Sequence, residues 1–148
     1  MKGIHAAVKA PSAHNRQPWK FMILSTLQKN SIADILESKT RDIPGHTGPH
    51  TAEVIRNVPH LIMVFIDNAV VENRDMDIIS IGASIENMIL KYTDLGLGTI
   101  WIANTNLISN EVKEILNVPY ETVSCVGVGY QDQFPKARPR KEIEEVLL

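Results

Sequence analysis

The chain has 148 residues, 44% apolar and 22% charged, with a formal net charge of −2. These values are ordinary for a globular protein and predict one domain over residues 1–148 with room for a core. They exclude a general attraction to nucleic acid or to an anionic membrane surface.

The opening stretch, Met1 to about Lys9, reads as the end of a helix, with Ile4 and Val8 at i, i+4 spacing. A polar loop follows, Pro11-Ser-Ala-His-Asn-Arg-Gln-Pro18, and then a strand from Trp19 to Leu24. Leu27 to Glu37 is helical, with Ile32, Ile35 and Leu36 on one stripe. Thr40 to His50 reads as a loop because Pro44, Gly45, Gly48 and Pro49 interrupt it. Thr51 to Asn57 predicts a short helix capped by Thr51. Leu61-Ile-Met-Val-Phe-Ile66 is continuously apolar, the pattern of a central strand buried on both faces.

Asp75 to Leu95 predicts the longest helix. It is apolar on nearly every side, with small residues at Gly82, Ala83 and Ser84, and so points to burial in a subunit interface. Gly96 and Gly98 stop it. Thr99 to Ala103 is a strand, Ser109 to Leu116 a short helix, and Thr122 to Tyr130 the last strand. A basic, proline-broken tail then leads to a short helical stretch over Glu142 to Leu148. The order α-β-α-α-β-α-β-α-β predicts helices on both faces of a mixed sheet.

The single cysteine, Cys125, excludes an intrachain disulfide and sits in a strand-like run, as a buried inert thiol would. No signal peptide or membrane-length apolar stretch is visible, which points to the cytoplasm. His46 and His50 are four apart, but Gly48 and Pro49 lie between them, and no metal site is expected. Ser12 and His14 lack the elbow motif and orienting acid that a hydrolase needs.

The loop from Pro11 to Pro18 carries Ser, His, Asn, Arg and Gln within six positions, bracketed by prolines. It suits either a plain polar turn or a stiff loop that holds a flat, heteroatom-rich ligand. The amides of Asn15 and Gln17 can donate to polar edge atoms of such a ligand. Lys136, Arg138 and Arg140 offer phosphate-binding charges, or simply a solvated tail.

The string Pro11-Ser-Ala-His-Asn-Arg-Gln-Pro-Trp19 resembles the signature loop of the nitroreductase family of flavin enzymes. Ser80 to Leu90 with Leu95-Gly-Leu-Gly98 resembles that family's central helix and following turn. Gly127-Val-Gly-Tyr130 with Phe134-Pro-Lys-Ala-Arg-Pro-Arg-Lys141 resembles its last strand and basic tail. The resemblance implies an α+β fold, a three-layer α-β-α sandwich with a mixed, mainly antiparallel central sheet.

It also implies a homodimer with FMN in each of two interface pockets. NADH or NADPH would give hydride to the flavin, and a nitroaromatic, quinone or similar small molecule would then take it in a ping-pong cycle. By the same resemblance Pro11, Ser12 and Asn15 reach the flavin of the partner subunit. Ile102, Ala103 and Asn104 pass main chain over the ring, and Lys136 and Arg138 hold the phosphate. No catalytic side chain is expected, because the cofactor carries the chemistry. A mid-chain basic residue of some members has only Arg56 as its counterpart.

Members usually begin with a helix carrying Arg-Ser-x-Arg that grips the phosphate, whereas this sequence starts a few residues before the loop. Weaker FMN binding is the expectation, with a natural short form or a longer parent protein both open. The alternative reading is a flavin-binding or inactive relative with a sensing, storage or scaffold role.

Overall fold

A computed structural model describes residues 1–133 and 135–148; Phe134, part of the tail motif, lies outside the described residues. Among the described residues five helices and four strands follow in the order α1 (Lys2–Ala7), β1 (Trp19–Ile23), α2 (Thr26–Thr40), α3 (Gly48–Asn57), β2 (His60–Ile66), α4 (Arg74–Asp94), β3 (Gly98–Ile102), α5 (Ser109–Leu116) and β4 (Glu121–Gly129). Short 3-10 turns occupy Ala13–Asn15, Asn104–Ile108 and Ile143–Glu145.

The strands lie in the order β1-β2-β4-β3, and every pairing among the described residues is antiparallel. Strand β2 is central, and its period-2 geometry sends alternate side chains to opposite faces. Leu61, Met63 and Phe65 pack with Ile32, Leu36, Ile55, Ile108 and Val112 on one face. Ile62, Val64 and Ile66 pack with Trp19, Ile81, Ile85, Met88 and Val126 on the other. Helices α2, α3 and α5 cover the first face, and α1 and α4 the second. This is the expected three-layer sandwich, and a strand buried on both sides needs its unbroken apolar run. A register shift opposite Val64 and Phe65 leaves Val123 without a partner, a bulge early in β4.

Two local expectations change. Helix α3 starts at Gly48, three residues before the predicted cap, with Pro49 in its first turn. Proline fits there because its missing N–H has no intrahelical acceptor to serve. Gly48 is a matter of packing, since a Cβ on it would sit 2.0 Å from Thr40 Oγ1. The predicted C-terminal helix reduces to the single turn Ile143–Glu145, as a seven-residue stretch without tertiary support cannot offset helix nucleation. Helix α4 keeps one side open: Met76, Ile79 and Leu90 are more than half exposed, with Ile79 at 72%.

Candidate functional site

The Pro11–Pro18 loop is built from unusual backbone. His14 (φ 51°), Asn15 (φ 55°) and Gln17 (φ 49°) all lie in the left-handed region, which L residues occupy at a cost. Short polar bonds hold the turn. The Gln17 N–H donates to Ser12 Oγ at 3.0 Å, the Ala13 N–H donates to Ser80 Oγ on α4 at 3.3 Å, and Gln17 Nε2 donates to Asn15 Oδ1 at 3.2 Å. Pro11, His14, Asn15 and Gln17 remain exposed while Pro18 and Trp19 are buried. Trp19 is therefore core. The loop presents its amides outward and anchors its back to the second helical layer.

A second concave region lies at the opposite edge of the sheet. It is a cavity of about 670 Å³ between α3, the start of β3, the end of β4 and residues 130–133 and 135. Gly98, Thr99 and Ile100 form one wall, His50, Glu53 and Asn57 of α3 another. Gly127 lies between them, and a Cβ there would come within 2.9 Å of both Ile100 and Val58. The residue must be glycine for β3 and the end of α3 to approach this closely. His50 Nδ1 and Glu53 Oε2 are 3.8 Å apart at the mouth.

None of the expected cofactor residues Ile102, Ala103 and Asn104 lines that cavity, which opens at the other end of β3. Ile102 ends β3 and is buried, and Ala103 is exposed. Asn104 Nδ2 donates to Thr47 Oγ1 and Thr51 Oγ1, both at 3.0 Å, which ties this turn to the N-terminal end of α3. Lys136 and Arg138 are exposed just beyond Pro135, which lines the cavity. Arg56 points elsewhere: its guanidinium bonds Asp34 at 2.6 Å and Glu37 at 2.7 Å on α2, and its hydrogen bond, with a second from Arg41, holds the Glu37 carboxyl below its usual range. His50, Glu53 and Asn57 are the residues that sequence reasoning missed. Their i, i+3, i+7 spacing is helical, but Gly48 and Pro49 beside His50 mask it.

The two halves do not meet within one chain. Trp19 of β1 pairs with Ile66, Ile66 pairs with Glu121, and Ile102 of β3 pairs with Cys125. The loop before β1 and the turn after β3 therefore leave the same end of the sheet from opposite edges. Three strand spacings, about 14 Å, separate those edges. The cavity contains none of Pro11, Ser12, Asn15 or Gln17.

Cys125 is fully buried and free, and burial pushes its thiol up to about 12 against a smaller opposing contact from Thr105. Among the described residues no His, Cys, Asp or Glu group could hold a metal, and no helix is long and apolar enough to cross a membrane.

The sequence model of the Nitroreductase family matches residues 2–130. A Bacillus subtilis protein assigned as an NAD(P)H nitroreductase, YfhC, is 23% identical over 158 residues, 96% of this chain and 77% of that protein. The iodotyrosine deiodinase of Thermotoga neapolitana is 23% identical over 155 residues, 95% of this chain and 80% of that protein. A crystal structure from Desulfovibrio desulfuricans, assigned as a nitroreductase in complex with FMN, superposes with a TM-score of 0.81 at 24% identity, covering 99% of this chain and 80% of that one.

Proposed function

The chain belongs to the nitroreductase family, and on that premise we propose that it is an FMN-dependent oxidoreductase using NADH or NADPH as hydride donor. Its acceptor is a nitroaromatic, a quinone or a similar small molecule, and donor and acceptor occupy the site in turn. The working form is a homodimer in the cytoplasm. Each site combines the cavity of one copy with the Pro11–Gln17 loop of the other.

One observation carries this reading. Three left-handed residues hold the Asn15 and Gln17 amides outward, at a conformational cost that serves nothing in their own core. The cavity they would complete lies across the sheet, out of their own reach. The apolar ridge of Met76, Ile79 and Leu90 on α4, with half-exposed Trp101 beside Gly82, gives a second copy a surface to cover.

The residues present fit the cofactor. A cavity of about 670 Å³ is within the range that holds a fused-ring ligand. Lys136 and Arg138 follow it with two cations that can pair with a phosphate monoester. FMN, when bound, supplies the ring that takes up and gives back hydride. The protein's part is placement. Edge-strand backbone near Ile102–Asn104 offers N–H groups, the α3 wall limits how a planar ring can sit, and the partner's loop offers amide donors to polar ring atoms. None of these groups has to give or take a proton of its own.

The test is direct. Purified protein supplied with FMN should hold the flavin, lose its yellow absorbance on addition of NADH or NADPH, and regain it when a nitro compound or quinone follows. Bound flavin that never bleaches would replace the reductase reading with a binding role. Protein that stays colourless in excess FMN would end the flavin reading altogether.

A further inference from the structure

Arg16 is the member of the loop that turns inward. It sits between two left-handed residues, Asn15 and Gln17, yet its side chain is only 9% exposed. The guanidinium Nε–H donates to Asp77 Oδ1 at 3.1 Å, and an Nη1–H donates to Glu72 Oε2 at 3.0 Å. Nη2 is enclosed and has no acceptor among the described residues. Asp77, in the first turn of α4, is wholly buried; its Oδ2 receives the N–H groups of Glu72 and Asn73 at 3.4 Å. Glu72 is largely in water, so the buried partner is Asp77.

A buried ion pair is poor evidence for stability, since desolvating both charges offsets their attraction. An enclosed Nη2 without an acceptor makes this one poorer still. What such a pair supplies is registry: the guanidinium has one place where its charge is matched. The loop needs that kind of constraint, because a backbone with left-handed residues at His14, Asn15 and Gln17 persists only where its surroundings over-determine it. Two tethers reach α4, namely Ala13 to Ser80 and Arg16 to Asp77, and only the second carries charge.

We propose that Arg16 and Asp77 are positioning residues, an internal ion pair that pins the left-handed loop to α4 so that the Asn15 and Gln17 amides point outward in one orientation toward the flavin edge of the second copy. Neither touches the cofactor; both act through the backbone between them. The proposal rests on the divided flavin site argued above.

The test uses the full chain with Asp77→Asn, Arg16→Lys and the double variant Arg16→Met/Asp77→Leu, which leaves neither charge buried alone if a single variant fails to fold. Hydrogen exchange without flavin is the first readout. The Ala13 and Gln17 amides should exchange at least about tenfold faster in Asp77→Asn and in the double variant, with Arg16→Lys intermediate and the β2 amides unchanged. FMN titration is the second, and its dissociation constant should rise about tenfold in the same order. Loop amides as protected in the double variant as in the parent, loop amides unprotected in the parent, or acceleration spread equally into β2 would each overturn the proposal. A parent protein that takes up no FMN would end the flavin reading, and the exchange rates would still decide whether the pair holds the loop.

Discussion

The ridge on α4 offers the sharpest quantitative test of the divided site. Ile79 is 72% exposed in the single chain and stands between Met76 and Ala83 on the open side of the helix. Fully burying an isoleucine is worth about 1.5–3 kcal/mol, so covering this one contributes about 1–2 kcal/mol. A twofold interface counts it twice, giving about 2–4 kcal/mol. Ile79→Asp removes that term and adds two carboxylates to be desolvated. The dimer should therefore weaken by at least about 30- to 700-fold, because every 1.4 kcal/mol is tenfold. Sedimentation across a protein dilution series reads the dissociation constant, and FMN titration of the same samples shows whether flavin uptake falls with dimer content. The side chain contacts solvent in the monomer, so the fold itself should survive, with unchanged circular dichroism. A dimer constant unmoved by the substitution would place the interface elsewhere, and full flavin uptake by a demonstrated monomer would refute the two-chain site.

Two further outcomes concern the core. Gly3→Ala puts a Cβ 2.4 Å from the ring of Tyr92, which is itself buried, so α1 must move; thermal unfolding should fall by about 4–8 °C for about 2 kcal/mol of overpacking, and a change under about 1 °C would show that the contact yields freely. Cys125 should resist alkylation at pH 8 in the native state and react at once in denaturant. Its thiol titrates near 12 when folded, against an ordinary 9.0. The neutral thiol is the form in both states below pH 9.0, and stability should then decline as pH rises from there toward 12, as the unfolded state alone gives up its proton. A native thiol that alkylates as fast as a free one would contradict the buried placement.

Much of this architecture can be seen in the linear chain, for identifiable reasons. The run Leu61–Ile66 has no polar interruption, which only a strand covered on both faces tolerates, and it is the centre of the sheet. Asn73 caps α4 by accepting the Met76 N–H, close to where the helical period begins. The start of α3 is not legible in the sequence, because Gly48 and Pro49 are breakers by composition. Here one fits the first turn of a helix and the other clears Thr40, a neighbour that local pattern does not reveal. The same two breakers conceal His50 and Glu53 on the cavity wall. The Arg16–Asp77 pair spans 61 positions and joins a loop to a helix whose crossing only the assembled sheet defines. Lys29 is a similar case. Its ammonium is buried against the carbonyls of Arg56 and Val58 at the end of α3, a contact that only the packing of α2 on α3 creates.

The placement of the loop and the cavity at opposite edges of one sheet has a consequence at the level of inheritance. If the working centre is shared, a lesion in a chain's own loop spares the pocket that chain carries and silences its twin's. Two alleles, one damaged at Asn15 and the other at Lys136, would then complement when expressed together. Random pairing restores about a quarter of the centres from subunits that are each inert alone.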